Sequence, residues 1–143
     1  MIRLAKPSLI LIGFAALGLV RPIDNGVEVR PFDKELFETE SKHIVTAGFQ
    51  VSSVTPGRHL FEAGVKLPDK WILITEDFPF ELDPYQSVTK WISFFVADST
   101  APGKYNVTYE VRAREFPSIS GAYTVTVAVL PYGKDQPVQK EDE

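Results

Sequence analysis

Apolar residues recur with a period of two through most of the chain. In the stretch from Tyr105 to Val111, Tyr105, Val107, Tyr109 and Val111 fall on one side, and Asn106, Thr108 and Glu110 on the other. A pleated strand sorts its side chains in this way and a helix does not. Tyr123, Val125, Val127 and Val129 repeat the pattern against Thr124, Thr126 and Ala128, and Val45, Ala47, Phe49 and Val51 repeat it against Thr46, Gly48, Gln50 and Ser52. Phe61, Ala63, Val65 and Leu67 alternate less cleanly. The gaps carry turn chemistry: Thr55-Pro-Gly57, Pro68-Asp69, Asp83-Pro84 and Pro102-Gly103 supply a fixed proline φ, a permissive glycine or an Asx turn. About seven strands are expected, near 26–31, 43–53, 58–67, 71–76, 87–97, 104–114 and 121–130. Short strands at this spacing predict an all-β, immunoglobulin-like sandwich of two antiparallel sheets. Trp71, Phe94, Tyr105 and Tyr109 are its expected large core residues.

One strand breaks the alternation. From Val88 to Ala97 both faces are apolar: Val88, Ile92, Phe94 and Val96 make the more continuous one, and Trp91 and Phe95 point the other way. Two outward aromatics are either covered by the segment Val27–Phe37 or form a surface for a partner. Trp91 and Phe95 are therefore the candidate binding residues.

The ends of the chain read differently. Arg3 and Lys6 precede an uncharged run from Pro7 to Val20, which as a helix spans roughly 21 Å, short of the roughly 30 Å hydrocarbon core of a bilayer. A basic start, a short apolar run and small residues near its end predict a secretory signal peptide over 1–18, cleaved after Gly18. The alternative is an uncleaved anchor, the one route by which the chain would meet a membrane. Residues 133–143, GKDQPVQKEDE, hold one aliphatic side chain and are expected to be a polar, disordered tail. The domain then spans 19–132, and the expected location is periplasmic or extracellular.

Composition narrows the chemistry. With 143 residues the chain holds one domain of ordinary size, and a hydrophobic fraction of 44% excludes wholesale disorder. The formal charge is −4, moving to about −6 once Arg3 and Lys6 are removed, and no basic cluster exists to meet phosphates, so no nucleic-acid partner is expected. The absence of cysteine excludes disulfides, thiolate metal sites, cysteine nucleophiles and lipid attachment to cysteine. His43 and His59 are the only histidines, no Gly-x-Ser-x-Gly elbow is present, and Ser118 and Ser120 sit in a turn-like Pro-Ser-Ile-Ser-Gly. Acidic residues gather at Glu76, Asp77, Glu81 and Asp83, and at Glu35, Glu38 and Glu40, without the spacing of a calcium loop. No catalytic residue, metal site or cofactor is expected.

A resemblance adds to this reading. Leu67-Pro-Asp-Lys-Trp71, Phe80-Glu-Leu-Asp-Pro84 with Ser87, Phe94-Phe-Val96 and Ala101-Pro-Gly-Lys-Tyr105 resemble the NPCBM-associated family of immunoglobulin-like modules of bacterial and archaeal envelope proteins. In that pattern a strand ends in a Pro-x-x-Trp corner, and a Leu-x-Pro-Gly turn leads on to an Ala-x-Gly-x-Tyr turn. Tyr85 stands where the family's turn carries glycine. The resemblance implies a non-catalytic envelope module that binds or spaces another envelope protein or surface component. Two other roles fit the same sequence: an assembly factor of the pilus chaperone or usher type, pairing through an edge strand such as the run at 125–129, and a carbohydrate-binding accessory module using Trp91 and Phe95.

Overall fold

The computed structural model describes residues 26–76 and 78–131. The expected signal segment over 1–18 and the polar tail over 133–143 lie outside the described residues. Among the described residues nine strands form: β1 (Val27–Pro31), β2 (Leu36–Glu40), β3 (Ile44–Ser53), β4 (His59–Lys66), β5 (Ile72–Leu73), β6 (Phe80–Leu82), β7 (Ser87–Phe95), β8 (Gly103–Ala113) and β9 (Ser120–Leu130). They make a four-stranded sheet in the order β1-β3-β7-β5 and a five-stranded sheet in the order β2-β9-β8-β4-β6.

The alternating residues do what their period demands. Val45, Ala47, Phe49 and Val51 of β3 and Ile92 and Phe94 of β7 face Phe61, Val107, Tyr109, Val111, Val125 and Val127 of the other sheet, and all are buried. Phe49 stacks on Tyr109 with ring centroids 4.7 Å apart, which joins the two sheets at the centre of the sandwich.

The count exceeds seven because two elements, β2 and β6, carry little periodic signal, and one of the seven expected strands is mostly loop. β2 pairs in parallel with β9, Leu36 opposite Thr126 and Glu40 opposite Leu130. β6 adds three residues to the edge of β4. Of the strand expected over 71–76, only Ile72–Leu73 pairs, with Phe95 and Phe94.

The family-like corners form as chain punctuation. The Trp71 amide donates to the Pro68 carbonyl at 3.2 Å, and its indole nitrogen donates to the Thr100 hydroxyl at 3.0 Å. Its ring stacks on Phe94 and tilts against Tyr105, plugging one end of the core. The Tyr105 hydroxyl donates to the Ala101 carbonyl at 2.6 Å, the tyrosine-corner contact. Tyr105 is half-buried rather than fully buried, since it sits at the mouth of the sandwich.

The chain enters and leaves at opposite ends. Val27 lies beside Ser53, at the far end of β3, whereas Leu130 lies beside Glu40, just before the chain turns into Ile44 at the near end of β3.

Candidate interaction face

The outer face of the four-stranded sheet is built by the residues between the buried ones. Register places Ile44, Phe95 and Ile72 in one row across β3, β7 and β5. Thr46 and Ser93 form the next row, their hydroxyls 2.7 Å apart, and the Ile74 amide donates to the Ser93 carbonyl alongside. The third row joins Phe32, whose amide donates to the Gly48 carbonyl, with Gly48 and Trp91. Beyond it come Arg30, Gln50 and Thr89, then Glu28, Ser52 and Ser87. One half of the face is apolar and the other polar. Ile44 is 61% exposed, Ile72 59%, Phe32 53% and Trp91 49%, while Phe95 is half-buried between its two isoleucine neighbours.

Trp91 and Phe95 thus both lie on the outer face, as expected from the two-sided strand. The expected cover by Val27–Phe37 is partial. Phe32 reaches Trp91, edge to face at 5.2 Å, and the indole lies on Gly48, which is buried beneath it. The chain then crosses to the other sheet as β2, leaving a shallow depression of about 230 Å³ among Lys34, Phe37, Thr39, Ile44, Thr46 and Trp91. Phe32, Ile44, Ile72 and Ile74 were missed from sequence because they join the patch only through pairing. Each of these side chains leaves about half its surface open, so the patch amounts to an area on the order of 500 Å².

The other residues weighed from sequence make local contacts. His43 is exposed and its Nδ1 lies 2.9 Å from the Ser41 carbonyl. His59 meets the Thr55 hydroxyl at 3.2 Å and packs between Phe61 and Phe116. It borders a cleft of about 360 Å³ with Arg58, Glu81 and Glu115, in which Arg58 pairs with Glu81 and Asp83. Asp77 lies outside the described residues. Glu35 accepts the Tyr123 hydroxyl at 2.6 Å, and this hydrogen bond pushes the tyrosine's pKa above its ordinary value, with partial burial and the carboxylate's charge adding to it. Among the described residues no group of three or more His, Asp or Glu side chains is placed to hold a metal ion.

The run at 125–129 is not an edge. β9 lies between β2 and β8, hydrogen-bonded on both sides, so this strand has no open side to offer a partner.

No protein-family model matches the chain, and no curated protein sequence matches it. Solved structures do. A Salmonella alpha-2-macroglobulin matches 73% of this chain at 9% identity with a TM-score of 0.57. A FixG-related protein from Vibrio parahaemolyticus matches 73% of it at 9% identity with a TM-score of 0.55, over 94% of its own length. An alpha-2-macroglobulin from E. coli matches 73% at 11% identity with a TM-score of 0.54. The fold is immunoglobulin-like. The matched region spans 7% of each alpha-2-macroglobulin chain, so the likeness there is to a single domain of a much larger protein.

Proposed function

We propose that this protein is an exported, non-enzymatic interaction module that binds another protein of the cell envelope through the apolar half of its outer face. The observation that carries the reading is the row Ile44, Phe95 and Ile72 with Trp91 and Phe32 behind it. A small domain gains nothing for its own core by holding these side chains outside it, and such contiguous exposed patches mark interaction sites. Export is supported by the basic, apolar start of the sequence, and the envelope setting by the resemblance to NPCBM-associated modules. The fold shared with single domains of larger proteins fits a module that binds or spaces.

The test is photo-crosslinking in envelope extracts, with a reactive residue at position 95 and a control at position 50 on the polar half. Crosslinks from 95 alone are expected, reduced about tenfold or more by Ile72→Asp or Ile44→Asp, because apolar anchors carry most of an interface's energy. Both isoleucines are exposed, so the melting temperature should hold. Equal crosslinking from both positions, or capture indifferent to the two Asp substitutions, overturns the reading.

A further inference from the structure

The sheet carrying this face ends in an edge that is only partly closed. β7 has nine residues, and β5 pairs with two of them, Phe94 and Phe95. The chain then peels away at Thr75. The Ile74 and Thr75 amides both donate to the Ser93 carbonyl, and the Ser93 amide donates to the Thr75 hydroxyl at 2.5 Å. A side chain thus takes the place that the next backbone carbonyl would hold. Backbone direction alternates along a strand, and the Val96 amide, on the other parity, donates toward β3 at the His43 carbonyl. The amides and carbonyls of Thr89 and Trp91 share the parity of Ser93 and point outward, where no strand of the described residues pairs with them.

Unpaired backbone groups on a strand edge are a template for another strand. What lies beside them selects which one. On the outer side stands Trp91, half-exposed. On the inner side stands Lys90, which shares its face with the buried Ile92 and Phe94 and holds its ammonium 4.0 Å from the Phe80 ring centroid. Among the described residues Lys90 has no ion pair. An inward-pointing charge at an edge repels an all-apolar strand and any second copy presenting the same lysine. It favours a strand with a carboxylate in the facing position. The area of the apolar patch agrees with a short occupant, since stable globular interfaces bury roughly 800 Å² per partner.

We propose that the open edge of β7, from Ser87 to Trp91, receives an extended strand of a partner protein in which an acidic residue lies between two apolar ones. The acidic residue faces Lys90 on the inner side. Its apolar neighbours turn to the outer side and continue the surface of Trp91, while main-chain hydrogen bonds to Thr89 and Trp91 supply the pairing. This rests on the reading of the domain as a protein-binding module and names the chemistry of its partner.

The test is amide hydrogen exchange on the full-length chain with a blocked peptide, Thr-Val-Thr-Val-Asp-Val-Thr-Lys. In the free protein the Thr89 and Trp91 amides should exchange far faster than those of Val88 and Lys90, which face β3. The peptide should slow them, and a version N-methylated at alternate amides should not. Replacing its Asp by Lys should weaken binding about two- to fivefold, the worth of one cross-strand charge pair, and Lys90→Glu should reverse that preference. Thr89→Pro, which removes only an outward amide, should abolish binding; should it fail to fold, Lys90→Glu decides alone. Protection of Thr89 and Trp91 already present in the free protein, or a peptide preference unchanged by Lys90→Glu, overturns the proposal. Crosslinking from position 95 that persists alongside such a result leaves the apolar face in place and removes only the edge.

Discussion

The indole of Trp91 lies so close upon Gly48 that a methyl group added there would come within 2.5 Å of its six-membered ring. Glycine is present for this approach and not for an unusual φ. Gly48→Ala should therefore cost about 1–3 kcal/mol, as overpacking does, and should lift Trp91 away from Phe32. In a Trp91→Ala background the same change should be neutral or stabilising, because alanine suits a strand better than glycine. Urea denaturation of the four proteins in this cycle checks both statements.

Trp91 is about half exposed while Trp71 is buried and bonded to Thr100. Acrylamide should quench the fluorescence of a Trp71→Phe variant strongly and that of a Trp91→Phe variant weakly. Equally weak quenching of both would show that the outer face is covered in solution.

At the turn into β7 the Gln86 amide donates to the Asp83 carbonyl at 3.0 Å, with Pro84 and Tyr85 between them. Tyr85 has φ of 59°, the left-handed region that this kind of turn demands and that glycine occupies without steric cost. Its side chain is 68% exposed, so it returns little packing. Tyr85→Gly should raise stability by about 0.5–1 kcal/mol, the relief of left-handed strain outweighing the extra freedom of the unfolded chain. Tyr85→Ala keeps the strain and should gain nothing. Thermal melts of the two variants distinguish them.

The Tyr123 hydroxyl holds Glu35 at the start of β2, and its folded pKa lies above its unfolded one. The resulting stabilisation is fully present below about pH 10 and lost as pH rises through the folded pKa. Wild-type stability should therefore fall more steeply than that of Tyr123→Phe above pH 10. Parallel curves would mean that the contact does not matter to folding.

Tyr105→Phe removes the bond to Ala101 and keeps the ring against Trp71. A cost of about 0.5–1.5 kcal/mol is expected in equilibrium unfolding.

How far the sequence disclosed this arrangement follows from where each signal is stored. β3, β8 and β9 announced themselves because each puts an unbroken alternating set of large side chains into the core. β2 did not: Leu36, Glu38 and Glu40 turn outward, and its inner face offers only Phe37 and Thr39. Its partner positions in β9 lie ninety residues later, a distance no local pattern spans. The aromatic pair on β7 was visible because a two-sided strand is unusual beside strands that alternate. Its surroundings were not, since Phe32 and Ile72 become neighbours of Trp91 and Phe95 only through cross-strand register. The same blindness to register made β9 look like an available edge, when it lies between β2 and β8 and the partly uncovered strand of the other sheet is β7.

The entry of the chain at one end of the sandwich and its exit at the other have a mechanical consequence. Tension applied through both ends would draw β1 and β2 one way and β9 the other. Because β2 and β9 run in parallel along five matched positions, that pull slides them past each other. Sliding loads all their hydrogen bonds together, whereas peeling breaks them singly. A pulled molecule should resist until this short clamp gives way at once. Weakening it at Tyr123 should lower the rupture force more than an equally destabilising change in β4.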